Sequence, residues 1–338
     1  MTRSQRKILS LAAGIVISIV FIWVLFWNID FRSLLVSLRQ ANYWWLIPNI
    51  IMVMFAMPQR AYRWKFMLRP VKEVPFNKLM AATCIGFMAN NVLPLRLGEF
   101  VRAYSLAYQD RGVSKSASLA TIFVERMVFD LVALLMIFGV VVEITTIHIP
   151  EEMKMGVFLS ILVALLGLAL VLYLALRPNQ AGNLMARYLF FLPERARASV
   201  KSMVIRFAAG LEFMMHFRDA TWVGVQTLLV WIFMGASNYF VFLAFGFHLP
   251  LEASYFLLVV VSISILIPSS PGFVGVYHAG TVFTLTQYGI GKEDALSFAL
   301  VLHAAQYIPI TLMGFYYLRK EHLSLTQLER EAAEPQNG

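Results

Sequence analysis

The sequence predicts an all-α membrane protein, a polytopic helical bundle of about eight spans with one or two re-entrant or broken helices and both termini cytoplasmic. Three observations carry this expectation. Of 338 residues, 59% are hydrophobic and 14% charged, against a globular norm of about 25% charged. Apolar runs near the roughly 20 residues needed to cross a bilayer recur along the chain, and no hydrophilic block of comparable length separates them. Lys and Arg crowd alternate connections, as cytoplasmic loops do.

The first run, Ile8 to Trp27, follows Arg3, Arg6 and Lys7 as a secretory leader would, but its length and the lack of a small-residue cleavage site make it an uncleaved span. Trp23 and Trp27 suit the interfacial aromatic belt. Further spans are expected near residues 43–60, 117–142, 155–176, 221–246, 250–267, 273–290 and 295–318. Between the second and third, Leu79 to Met88 is a clean apolar stretch of only about ten residues, too short to cross, and it reads as a re-entrant hairpin. Arg60, Arg63, Lys65, Arg69, Lys72 and Lys78 follow the second span, and Arg177, Arg187, Arg195, Arg197, Lys201, Arg206 and Arg218 follow the fourth. This alternation survives only if residues 79–95 enter and leave on the same side. Segment 178–220 mixes apolar residues with Arg in a helical rhythm and is expected to lie on the inner leaflet. One membrane domain then fills 1–320, followed by a short polar tail, 321–338.

The net charge of +9 comes without a basic helix or an aromatic RNA platform, so nucleic acid is not an expected partner. A lone Cys84 excludes an internal disulfide, and no metal spacing or cofactor motif is present. Neither GxxxxGK[ST], HExxH nor GxSxG occurs, so ATP hydrolysis and enzymatic activity are not expected. GASN at 235–238, with His278 or His303 as a base, leaves an intramembrane hydrolase as a remote alternative.

Ionisable groups at membrane depth cost at least about 2.5–3.5 kcal/mol each, so each needs a partner, water or a role. Three clusters stand out. In NNVLPLRLGEFVR, Pro94 and Gly98 interrupt helix beside Asn90 and Asn91, while Arg96, Glu99 and Arg102 recur every third residue and would share one side of a resumed helix. A solvated cytoplasmic loop is the plainer reading of the same residues. In FVERMVFDL, Arg126 and Asp130 are four apart and form a structural ion pair, leaving Glu125 as the unpaired member facing a cavity; a packing ion pair between helices is the alternative. In IPSSPGFVGVYHAG, Pro268 and Gly272 repeat the spacing of Pro94 and Gly98, and two interrupted segments in corresponding halves point to a transport site. His278 could bind an anion when protonated, or simply pack between helices. Asn238, His303 and Gln306 read as interhelical hydrogen-bonding residues.

These three segments resemble, in order, the motif regions of the lysylphosphatidylglycerol synthase transmembrane family. The resemblance spans about Ile8 to Arg319 and implies a membrane domain that in some members moves an aminoacylated phospholipid from the inner to the outer leaflet. It implies re-entrant segments around a lipid cavity, and in those members an aminoacyl transferase follows the membrane part. The last span here is followed only by the polar tail, so this protein is expected to move a lipid made elsewhere. In the third motif Phe273 stands in place of a glycine and His278 near an expected glutamate, which favours a less cationic or phosphate-only headgroup, polyprenyl phosphates and hopanoid-type lipids included.

The expected function is therefore a lipid flippase in a bacterial cytoplasmic membrane, with Asn90, Asn91, Arg96, Glu99, Arg102, Glu125, Gly272 and His278 meeting the substrate. Its expected partners are the lipid itself and anionic inner-leaflet lipids drawn to the basic loops. A non-transporting partner of an envelope-lipid synthesis enzyme is the alternative.

Overall fold

The computed structural model describes residues 3–93, 96–110, 112–145, 147, 151–189, 193–209 and 211–325, and among these there is no strand. Helix α1 (Arg3–Phe26) turns through 89° into α2 (Phe31–Gln40). Asp30 fixes that corner by accepting the N–H groups of Arg32 and Ser33 at 2.9 and 3.3 Å, which are orphan donors at a helix start. There follow α3 (Leu46–Leu68), α4 (Phe76–Val92), α5 (Gly98–Gln109), α6 (Lys115–Val124), α7 (Leu131–Ile144), α8 (Glu151–Leu176), α9 (Pro178–Tyr188) and α10 (Glu194–Ala209). The last four are α11 (Phe217–Ala244), α12 (Leu251–Ser264), α13 (Val276–Gln287) and α14 (Lys292–Lys320). Helices α6 and α7 join through a π-helical turn, Glu125–Asp130, into one 30-residue helix.

All eight expected apolar runs coincide with helix, and the protein is an all-α membrane protein. Among the described residues, three helices can cross a bilayer by length and composition, rising to five if each sharply bent pair counts as one span. Large apolar side chains face outward along α8, where Val163 is 67% and Leu166 62% exposed, a surface suited to lipid. The expected amphipathic connection, 178–220, contains α9 and α10 packed against each other. The tail beyond Leu325 lies outside the described residues, as does Pro94.

The two broken regions are helical hairpins. Helices α4 and α5 run antiparallel, with Gly86 against Arg102 and Asn90 against Gly98, so the apolar helix expected over 79–88 extends from 76 to 92. At 1.5 Å per residue α4 is about 25 Å long and α5 about 18 Å, both short of the roughly 30 Å hydrocarbon core. Helices α12 and α13, expected as two crossings, are about 21 and 18 Å by the same measure and pack together, with Gly280 against Ser264. The connection at 265–275 separates them.

Helix α3, the α4–α5 hairpin and the α6–α7 helix form one unit; α11, the α12–α13 hairpin and α14 form a second with the same order of neighbour contacts. The opening helices of the two units pack antiparallel. Trp45 pairs with Phe240, Phe55 with Phe233 and Phe66 with Trp222, so residue number rises on α3 as it falls on α11. Each hairpin's first helix then leans on the closing helix of the other unit, α4 on α14 and α12 on α7. In the first of these contacts Gly314 lies against Met88 and Cys84. This is the arrangement of an inverted repeat, and it extends the single Pro–Gly spacing match to the two units as wholes.

At the end of the first hairpin, Asp110 accepts from Lys72 at 2.5 Å and Lys78 at 3.4 Å, tying α5 to the connection before α4. The Lys72 hydrogen bond foremost holds its carboxyl below the ordinary carboxylate range. A depressed native pKa contributes stability above the unfolded value near 3.9 and loses it as pH falls through the native one. Asp110→Asn is expected to cost about 0.5–1 kcal/mol at neutral pH, because the lysines are partly solvated. Detergent thermal melts should show that difference shrinking as the pH is lowered below about 4.

Candidate functional site

Arg63 anchors a charged network inside the first unit. It is fully buried on α3, and its guanidinium donates to Glu125 and Asp130, both at 2.6 Å, and to Thr227 of α11 at 2.8 Å. Glu125 also accepts from Arg102 of α5 at 3.0 and 3.1 Å. Asp130 takes further donors from Trp231 at 3.1 Å and Arg126 at 3.2 Å. The π turn lets one segment serve both sides: its wider i→i+5 spacing, seen in Leu131 N–H to Arg126 O, aims both carboxylates inward at Arg63. Buried charges survive only when paired and hydrogen-bonded, and Arg63, Arg102, Glu125 and Asp130 meet that condition as two cations with two anions. Toward the surface, Arg126 approaches Glu99 at 3.6 Å, each about a fifth exposed. Asn90 bridges that rim to the hairpin tip, donating to Glu99 at 3.2 Å and accepting the N–H of Gly98 at 2.8 Å.

The second polar region lies where the two breaks touch. Arg96, with φ of 53°, reaches across to donate to Ile265 O at 3.1 Å, and its guanidinium lies 5.4 Å from the centre of the Phe273 ring, itself at φ 58°. Such left-handed backbone is uncommon outside glycine and marks sites the surroundings over-determine. Gly272, at φ 74°, lies beneath Tyr307, whose hydroxyl donates to Asn91 O at 3.1 Å. Asn91 in turn donates to Thr311 at 2.8 Å. Beside them Tyr277 stacks on His303 at 4.5 Å and donates to Gln306 at 3.0 Å, and Gln306 donates to Asn238 at 2.9 Å. Helix α1 closes this side, with Ser18 bonded to Ser270 at 2.9 Å.

Residues 11–314 match the family described as the lysylphosphatidylglycerol synthase TM region. The chain belongs to the lysylphosphatidylglycerol synthase transmembrane family. Among curated relatives, glycosyltransferase AglD of Haloferax volcanii is 24% identical over 98% of this chain, which spans 57% of that protein's length. Two UPF0104 membrane proteins of Methanothermobacter thermautotrophicus are 22% and 26% identical, over 82% and 92% of this chain and 86% and 93% of their own lengths.

For this family member the geometry revises several sequence expectations. Glu125 is not the unpaired carboxylate facing a cavity; Arg63 and Arg102 hold it in the interior. The Arg126–Asp130 pair forms as expected, at 3.2 Å. Arg96, Glu99 and Arg102 do not share one helical side, because α5 begins at Gly98 and Arg96 stays in the break. Glu99 consequently meets Arg126, and Arg102 meets Glu125. Arg60 and Arg63, assigned to a cytoplasmic loop, lie on α3 and are 4% and 0% exposed. His278 accepts the Gly275 N–H at 3.3 Å and packs edge-on to His303 at 4.9 Å, so it caps α13 as part of the second polar region. Gly272 stands beside it in sequence and shares that region, while Asn90, Glu99, Arg102 and Glu125 share the first.

Proposed function

We propose that this protein moves a lipid across a bacterial cytoplasmic membrane, guiding the headgroup along the charged network and the touching hairpin tips while the acyl or isoprenoid chains stay in lipid. It acts without enzymatic chemistry of its own, on a lipid supplied by another enzyme. The observation that carries the reading is the pair of short hairpins, one from each inverted unit, meeting through Arg96 and Phe273 beside a buried network of arginines and carboxylates. Broken helices of this kind supply free main-chain groups and movable elements at transport sites. Crossing bare hydrocarbon would be prohibitive for the charged headgroup, whereas a path lined by Glu99, Arg126 and Arg96 replaces the lost hydration.

The test is leaflet exchange of labelled lipids in proteoliposomes. Acceleration over empty vesicles is expected, and Glu99→Gln should slow it at least tenfold. No acceleration with any of a range of headgroups would overturn the proposal.

A second reading is favoured by one comparison: a protein named a glycosyltransferase contains a region similar to this chain as 57% of its length. Under it, the protein anchors a lipid-modifying enzyme, with the basic α9–α10 region drawn to anionic lipid. Neutralising Arg197 and Lys201 would then abolish function and Glu99→Gln would be mild, the reverse of the transport pattern.

A further inference from the structure

Among the described residues, the charge pairing of the buried network leaves one arginine over. Arg63 and Arg102 are matched by Glu125 and Asp130, and Arg126 by Glu99 and Asp130. Arg60 is 4% exposed, and among the described residues its Nε and Nη1 have no hydrogen-bond partner and no carboxylate lies within 4.0 Å. Its contacts are rings: Phe87 at 4.9 Å and Trp231 at 5.6 Å from the guanidinium carbon. A buried cation with free donors is costly unless an anion meets it.

Phe87 is shared. The Arg126 guanidinium carbon lies 5.0 Å from the centre of the same ring, so one aromatic side chain contacts two like charges. Phe87, Arg126 and Glu99 are partly exposed, whereas Arg60 is buried. The ring therefore touches both the accessible rim and the unmatched donors.

We infer that Arg60 and Arg126 form a site for a phosphoryl group, with Phe87 as the side chain that must swing aside to admit it. A tetrahedral oxyanion suits two guanidiniums, since each offers paired N–H donors matched to phosphate oxygens. Among the described residues Arg63 keeps one free donor, Nε, and Arg102 keeps two, Nε and Nη2, but Glu125 and Asp130 already match the charges of both, and Glu99 beside Arg126 disfavours an additional negative charge at the rim. The ligand class is a phosphate ester, either a lipid headgroup or a soluble phosphate. This deepens the transport reading by naming the headgroup chemistry, and rests on it for the purpose of the site.

The experiment measures binding to the full-length protein in detergent by thermal shift and by competition. The probes are dioctanoyl phosphatidic acid, dioctanoylglycerol lacking the phosphate, and inorganic phosphate. Phosphatidic acid is expected to bind at least tenfold more tightly than dioctanoylglycerol, and Arg60→Gln to remove that preference. Phe87→Leu, which removes the ring that both guanidiniums contact, should strengthen binding about threefold, a gain that misfolding cannot mimic. Inorganic phosphate protecting as well as phosphatidic acid would assign the site to soluble phosphate; protection by the lipid alone would assign it to a headgroup. Equal binding of the two lipids, or wild-type preference in a folded Arg60→Gln protein together with unchanged binding in Phe87→Leu, would overturn the inference. Leaflet exchange is measured separately: phosphate binding without exchange would sink the transport proposal alone, and exchange indifferent to phosphate would sink the site alone.

Discussion

Glu125→Leu is expected to leave little folded protein. The substitution removes the carboxylate that accepts from both Arg63 and Arg102, so two buried guanidiniums lose their common counter-ion at once. Breaking one partner of a buried pair costs about 3–5 kcal/mol, a large share of a native stability of about 5–15 kcal/mol. Asp130 still holds Arg63, but among the described residues Arg102 retains only the Trp64 ring, 4.0 Å away, and no counter-ion. The measurement is the monodisperse fraction after extraction in mild detergent, with the SDS unfolding midpoint of what survives. Adding Arg102→Met to Glu125→Leu should recover part of the loss, because an apolar pair replaces an orphaned cation. A single variant that unfolds at the wild-type midpoint would show that the network is solvated and not structural.

Gly98→Ala is expected to destabilise the protein strongly. A Cβ there would run into the carbonyl oxygen of Gly86 and the side chain of Asn90, inside any distance real Cβ atoms adopt. Backbone oxygen cannot swing away as a side chain can, so the hairpin must open. Overpacking of this kind costs about 1–3 kcal/mol, and small residues at such crossings are what let membrane helices approach. Gly224→Ala on α11 is the control. Nothing lies within 4 Å of its added Cβ, and exchanging glycine for alanine inside a helix gains up to about 1 kcal/mol from propensity. Opposite shifts of the two variants are expected in the same unfolding assay; equal shifts would mean that α4 and α5 do not pack closely.

The helices were legible in the sequence because runs of apolar residues report burial or lipid whatever their partners. Their lengths were less so: Leu251 to Ser264 is as apolar as a crossing helix but stops after 14 residues at the Ile265 to Gly275 break. The carboxylates of FVERMVFDL stood out because charge is rare in such a run. Their partners did not, since Arg63 lies 62 positions from Glu125 and sequence spacing carries no sign of that contact. Counting charges for topology treats each arginine as solvated, which hid Arg60 and Arg63. A signal was present in AMPQRAYRW, where two arginines three apart share a helical face with Ala56, Met57 and Trp64, all at or below 4% exposure. The π turn left no periodicity to read.

The seating of Gly314 against Met88 has a consequence for how the protein is made. The first hairpin leaves the ribosome early, but its outer face is covered by α14, and Asn91 finds Thr311 only after 220 further residues. At about 5–20 residues per second that interval is roughly 10–45 s. Throughout it α4 lacks its final neighbour, and Arg63 still awaits Thr227. Completion of the charged network is therefore a late event in biogenesis, and the nascent first unit needs a temporary companion, lipid or an insertase, until the second unit arrives.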